Sequence, residues 1–373
     1  MTHQTSEQHF DTVVIGGGQA GLAMGYFLAR QNRDFVILDA GGRVGETWRN
    51  RWDSLRLFTP AFHNGLPGMP FPAPGSYFPT KDETADYLEA YARKFDLPLR
   101  LRRRVESLSR HDGGYLVSTG DERYAAEHVV VATGPYQHPK IPHFAAELNP
   151  AIIQLHSSAY RNPNQLPEAD VLVVGAGNSG AEISVDLAAT RHTYLSGRDA
   201  GYIPVALIHN RFSLWLADRV LTTDSMLGRK MSEAHRDRGA PLVRLKPKEI
   251  ASAGVELVPR VGGVVDGKPR LADGRILDVA VVVWATGFRL DFGWIKLPIF
   301  DDGGYPIHHR GVVDAAPGLY FLGLPFQYTP TSEHVGGVGK DAQYISEHIA
   351  ARSPTRSGRR RDDRLPMHAE QQA

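Results

Sequence analysis

The chain has 373 residues, 42 Lys and Arg against 41 Asp and Glu, and no cysteine. Without a thiol the chain cannot build a disulfide staple, a thiolate zinc site, a cysteine-held iron–sulfur cluster or a dithiol relay. A net charge of +1 leaves no basic footprint for nucleic acid, and 42% hydrophobic residues over this length suit a globular chain of roughly two domains.

The start, Met1 to His9, is polar and reads as no signal peptide; no run approaches the ~20 apolar residues of a membrane-spanning helix, so a cytoplasmic location is expected. Asp11 to Ile15 reads as a short buried strand. Gly16-Gly17-Gly18-Gln19-Ala20-Gly21 then turns the chain into a helix carrying Leu22, Ala23, Tyr26 and Phe27 at helical spacing. A second strand, Phe35 to Leu38, closes on Asp39 and Ala40. Strand, glycine turn, helix, strand and acid in about 30 residues form a dinucleotide-binding fingerprint. Gly16 permits the tight turn, Gly18 lets the backbone approach a pyrophosphate, and Gly21 lets the helix lie close on its strand. The helix start at Gln19 and Ala20 offers N–H groups to phosphate, and Asp39 accepts from a ribose hydroxyl. Further on, Val129-Val130-Val131 runs into Ala132-Thr133-Gly134.

The unit then repeats. Asp170 to Val174 leads into Gly175-Ala176-Gly177-Asn178-Ser179-Gly180, an apolar helix and the strand His192 to Ser196, at a constant offset of 159 residues. Asp39 falls on Arg198. A carboxylate suits a free 2′-hydroxyl, whereas a guanidinium grips a 2′-phosphate. The strand end recurs as Trp284-Ala285-Thr286-Gly287, and each Ala-Thr-Gly follows short strands with turn signals, Tyr115-Leu116-Val117 and Gly263-Val264-Val265. The fold expected is α/β: two dinucleotide-binding (Rossmann-like) domains, each with a small antiparallel β crossover. One site takes an adenine–flavin, the other a nicotinamide, and hydride passes between them.

Weaker signals follow along the chain. Tyr202 to Met226 is apolar and reads as irregular, a cover for the core or else a substrate entrance or membrane contact. His308 and His309 would point to opposite faces of a strand, so no metal site is read there. Glu333, His334, Gly336 and Gly337 precede a last helix whose start can hold the edge of a flavin ring. Residues 352–373 carry six arginines against Asp362, Asp363 and Glu370, a basic tail read as disordered and solvated.

With these residues the chain resembles the flavin-containing monooxygenase superfamily, in particular its short bacterial members and the plant enzymes of auxin biosynthesis. The resemblance spans roughly residues 10–350. It is carried by Gly16–Gly21, by Gly45-Glu46-Thr47-Trp48-Arg49 with Trp52 to Leu57, and by Phe78-Pro79-Thr80-Lys81. Tyr87 to Ala92, Gly175 to Glu182, Ala285 to Phe288 and Gly318 to Gly323 complete it. The family's motif Phe-x-Gly-x-x-x-His-x-x-x-Tyr/Phe-Lys/Arg is met at His156, Tyr160 and Arg161, but Pro150 and Ile152 stand at its Phe and Gly, and the Trp-Pro ending of Baeyer–Villiger relatives is absent.

The resemblance implies FAD in a discontinuous first domain (8–150 plus 290–351), NADPH in a second (151–289), and O2 as co-substrate with a small organic molecule; a homodimer is left open. Oxygen would enter through a flavin C4a-(hydro)peroxide. Implied cofactor contacts are Gly16, Gly18, Gln19, Ala20, Gly21, Asp39, Ala40, Gly45, Thr47, Trp48, Thr133, Gly134, Gly323 and Gly337 for FAD. For NADPH they are Gly175, Gly177, Asn178, Ser179, Gly180, Ser196, Arg198, Ala285, Thr286 and Gly287. Asn64, in a loop where relatives place flavin-facing residues, joins His156 and Tyr160 as catalytic candidates, with a turn asparagine and a buried structural histidine as the plainer readings. An NADPH-dependent flavin reductase without oxygen insertion is the alternative, and a nucleotide sensor without turnover is disfavoured by the intact glycines.

Overall fold

The computed structural model describes residues 7–199, 201–238 and 241–353 as a mixed α/β fold. Strand β1 (Glu7–Ile15) lies inside the larger sheet because Val13, Val14 and Ile15 are apolar on both faces and are buried on both. It pairs in parallel with β2 (Phe35–Leu38) on one side and β6 (Glu122–Val131) on the other. Beyond β2 lies β3 (Leu99–Arg100), and beyond β6 the antiparallel pair β5 (Gly114–Thr119) and β4 (Ser107–His111). Far along the chain, β16 (Leu319–Phe321) returns to pair in parallel with Val129 to Val131 of β6. One face of this sheet is covered by α1 (Gln19–Arg30) and by α9 (Val338–Arg352), which pack together; α3 (Lys81–Lys94) starts at a capping box, Thr80 with Glu83.

The second sheet is parallel throughout, in the order β11 (Val255–Val258), β10 (Thr193–Ser196), β9 (Val171–Val174), β14 (Val281–Trp284) and β8 (Ile153–His156). Helix α4 (Asn178–Ala188) follows β9 as α1 follows β1. An antiparallel ribbon of β12 (Val261–Val265) and β13 (Lys268–Leu271) stands apart from it. A second small ribbon, β7 (His138–Pro139) with β15 (Phe288–Arg289), joins the chain just past both Ala-Thr-Gly ends.

Two expectations change here. Tyr202 to Met226 is helical rather than irregular: α5 (Val205–Ile208), α6 (Arg211–Val220) and the start of α7 (Met226–Arg238). Asn210 caps α6 by accepting from the Phe212 and Ser213 amides. The basic tail does not begin at 352, because Arg352 is the last residue of α9; residues 354–373 lie outside the described residues.

Candidate functional site

The two glycine turns have the same local geometry. Gly16 and Gly175 hold φ of +111° and +112°, a region that L side chains rarely enter, so only glycine turns the chain there without strain. A Cβ on Gly21 would lie 1.8 Å from the Gly16 carbonyl oxygen, and one on Gly180 1.7 Å from that of Gly175. These glycines let α1 and α4 rest directly on their turns. Gly18 and Gly177 have nothing within 4 Å of an added Cβ, leaving bare backbone open to a ligand. Both turns, both Ala-Thr-Gly ends and the residues after β2 and β10 line one cavity of about 3000 Å³.

Most of the cofactor candidates meet there: Gly16, Gly18, Gln19, Ala20, Asp39, Ala40, Gly45, Thr47, Trp48, Thr133, Gly134 and Gly323 from the larger sheet's side. Gly175, Gly177, Asn178, Ser179, Ser196, Arg198, Ala285, Thr286 and Gly287 come from the other. Gly21 and Gly180 are packing positions instead. Gly337 belongs to a separate small cavity, where its Cβ would overlap the Thr331 carbonyl oxygen at 1.9 Å. Several side chains are already engaged. Asp39 accepts from the Gly17 amide at 2.5 Å and the Gly41 amide at 2.7 Å. Asn178 holds the 241–243 segment through Pro241 O and Val243 N, and the buried Ser196 hydroxyl bonds Pro259 O and Val261 N.

The three catalytic candidates do not reach the cavity. Asn64 is fully buried, its amide donating to Thr59 O at 2.8 Å while its oxygen accepts from Thr59 Oγ1 at 2.6 Å. His156, at the end of β8, has Nε2 2.9 Å from Gly287 O, so this nitrogen carries the proton; Nδ1 accepts from Ser158. Burial lowers its pKa and keeps the ring neutral. Tyr160 is wholly buried and donates to Asp186 of α4 at 2.7 Å; burial and that carboxylate push its phenol far above the ordinary range. All three fasten loops rather than present free groups.

Residues not named as catalytic or cofactor candidates stand in the cavity instead. The Arg51 guanidinium lies 5.0 Å from the Tyr136 ring centroid and 5.5 Å from that of Phe288, and desolvation lowers its pKa. Tyr136 follows the first Ala-Thr-Gly and Phe288 the second, so one cation pins both strand ends. Glu333 pushes the Tyr136 phenol upward. Glu182 on α4 has its carboxyl raised to about 7 by burial, against the pull of Arg244 at 3.2 Å. Arg244 also donates to Arg56 O, bridging α4 to the segment before α3. Outside the cavity lining, Asp11, Glu127 and His128 come together. There Arg33 already donates to both oxygens of Asp11, which removes the charge a cation would need.

The family profile described as pyridine nucleotide-disulphide oxidoreductase matches residues 13–213. An uncharacterized CzcO-like oxidoreductase of Geobacillus kaustophilus is 44% identical over 92% of this chain and 99% of its own length. A probable indole-3-pyruvate monooxygenase, YUCCA3 of Arabidopsis thaliana, is 29% identical over 91% of this chain and 86% of its own. Among solved structures, the flavin-containing monooxygenase of Stenotrophomonas maltophilia matches with TM-score 0.76 and 29% identity, covering 92% of this chain and 99% of that one. Among the described residues, no helix is long and apolar enough to cross a membrane.

Proposed function

The chain belongs to the flavin monooxygenase superfamily of oxidoreductases, and from that membership we propose that it is an NADPH-dependent FAD monooxygenase acting on a small organic substrate. One observation carries the reading: two glycine turns of equal geometry open onto a single cavity, one beside Asp39 and the other beside Arg198. Residues 8–150 with 290–351 then form an FAD domain and 151–289 an NADPH domain, both dinucleotide-binding and Rossmann-like. The bare backbone at Gly18 and Gly177 fits a pyrophosphate in each, because a side chain there would fill the space that phosphate needs.

The flavin would supply hydride acceptance and oxygen activation, chemistry that no side chain here offers. The protein's own groups bind and orient. Amides at the starts of α1 and α4 face phosphate, Asp39 takes the ribose of FAD, and Arg198 takes the 2′-phosphate of NADPH. Arg51, stacked on Tyr136 and Phe288, and Arg244, joining Glu182 to Arg56 O, hold the two domains in one relative placement. Asn64, His156 and Tyr160 act through these loops as positioning residues. Leu207, Phe212, Leu216 and Val220 form an apolar wall over which an organic substrate displaces water. The overall reaction is substrate, NADPH, a proton and O2 giving oxygenated substrate, NADP+ and water.

The test supplies 18O-labelled O2 with NADPH to a panel of amines, sulfides, ketones and arylpyruvates. One labelled oxygen atom should appear in an organic product for each NADPH consumed. Peroxide alone with every panel member would make the chain an NADPH-dependent flavin reductase.

A further inference from the structure

We propose that Arg260 is a second reader of the 2′-phosphate, set beside Arg198 by the hydroxyl of Ser196; this rests on the second sheet being the NADPH site. The placement follows from register. Strands β10 and β11 are adjacent and parallel, and Ser196 pairs with Val258 at their shared end. Arg198 stands two residues past Ser196, and Arg260 two residues past Val258. Neighbouring strands lie about 4.8 Å apart, so the two arginines leave one sheet edge side by side.

Ser196 fixes the second of them. Its hydroxyl donates to Pro259 O at 2.9 Å and accepts from Val261 N at 3.0 Å, clamping the residues on both sides of Arg260 to the strand that carries Arg198. Ser196 is fully buried, so the clamp is shielded from competing water. Both arginines line the main cavity, and both are exposed to it. Among the described residues, neither side chain makes a hydrogen bond or ion pair. Asp199, the nearest acid in sequence, turns its carboxylate to the Gly201 amide at 2.8 Å. Two unpaired cations side by side repel each other, and a phosphate dianion relieves that repulsion while meeting two planar donor forks. An adenosine carrying a 2′-phosphate is the ligand this edge would take, and one with a free hydroxyl would gain nothing from Arg260.

The purified flavoprotein is titrated calorimetrically with adenosine 2′,5′-bisphosphate and with 5′-AMP, which differ only in the 2′-phosphate. Wild type should bind the bisphosphate more tightly. R260A should weaken the bisphosphate about tenfold, as R198A does, while moving 5′-AMP less than twofold. R260K, which keeps the charge and perturbs the turn least, should recover part of the loss, and R260A should flatten the salt dependence of bisphosphate binding. Equal bisphosphate affinity in R260A and wild type, with R198A weakened, overturns the role of Arg260 alone. Equal affinity of wild type for the two ligands instead overturns the NADPH reading, and is seen before any variant is made.

Discussion

The two copies of the strand–turn–helix unit agree in their backbones and part company in their side chains. Gly16 and Gly175 differ by one degree in φ, and the helices behind them stand off their turns by the same margin. At the end of the second strand, Asp39 is bonded to the amides of Gly17 and Gly41, while the Arg198 side chain makes no hydrogen bond or ion pair among the described residues. Glu182 on α4 occupies the place that Ala23 holds on α1, 159 residues earlier. The shared backbone and the differing side chains divide the work of such a repeat. A pyrophosphate is held by backbone N–H groups, so any side chain suffices provided that the glycines stay; what distinguishes two nucleotides lies at the strand ends and is read by charge.

Equal damage to the two turns should have unequal consequences, one for each nucleotide. G21A places a methyl group 1.8 Å from Gly16 O, and G180A places one 1.7 Å from Gly175 O. Overpacking of that kind costs about 3 kcal/mol, roughly a hundredfold in affinity for the nucleotide on the damaged turn. G21A should purify nearly stripped of flavin absorbance. G180A should keep its flavin yet need about a hundredfold more NADPH for anaerobic reduction. The reverse pattern would exchange the two assignments.

A smaller effect comes from the Glu182 and Ala23 positions. Glu182 keeps its proton in the folded chain up to about 7, against an ordinary value of 4.5. Between these limits the unfolded chain is ionised and the folded one is not, so stability falls as pH rises from 4.5 to 7 and is level above. Gln does not titrate. The melting temperature of wild type should therefore drop relative to E182Q between pH 5 and 8, by at most about 3 kcal/mol in stability. Parallel pH profiles would show that the second copy carries no such proton.

The smallest effect falls on the part of the second copy that has no counterpart in the first. Y160F removes the hydroxyl bonded to Asp186 and should cost about 1 kcal/mol of stability with kcat within twofold of wild type. A hundredfold loss of kcat would return Tyr160 to the reacting atoms.

The two strand–turn–helix units were legible because each is written within some 30 contiguous residues, and the Asp39 and Arg198 difference because the units repeat at a constant offset. The partners of Asn64, His156 and Tyr160 were not legible in the sequence, because the fold supplies them. For His156 the partner is Gly287 O, 131 residues away, and for Tyr160 it is Asp186 on the far side of a glycine turn. Arg51 was invisible for the same reason, since its rings come from positions 136 and 288. Helix α6 did leave a signal: Phe212, Leu216 and Val220 recur every four residues, a spacing masked by the Pro204 and Asn210 that precede it.

The return of β16 to the larger sheet bears on how the chain is made. Residues emerge from the ribosome in order, so β6 exists long before residues 319–321 do, and the edge at Val129 to Val131 has no permanent partner in that interval. Every strand of the second sheet, by contrast, is complete once residue 284 has emerged. The later-encoded sheet can therefore close first, while the earlier one waits with an open strand edge, the feature that most invites wrong pairing between nascent chains.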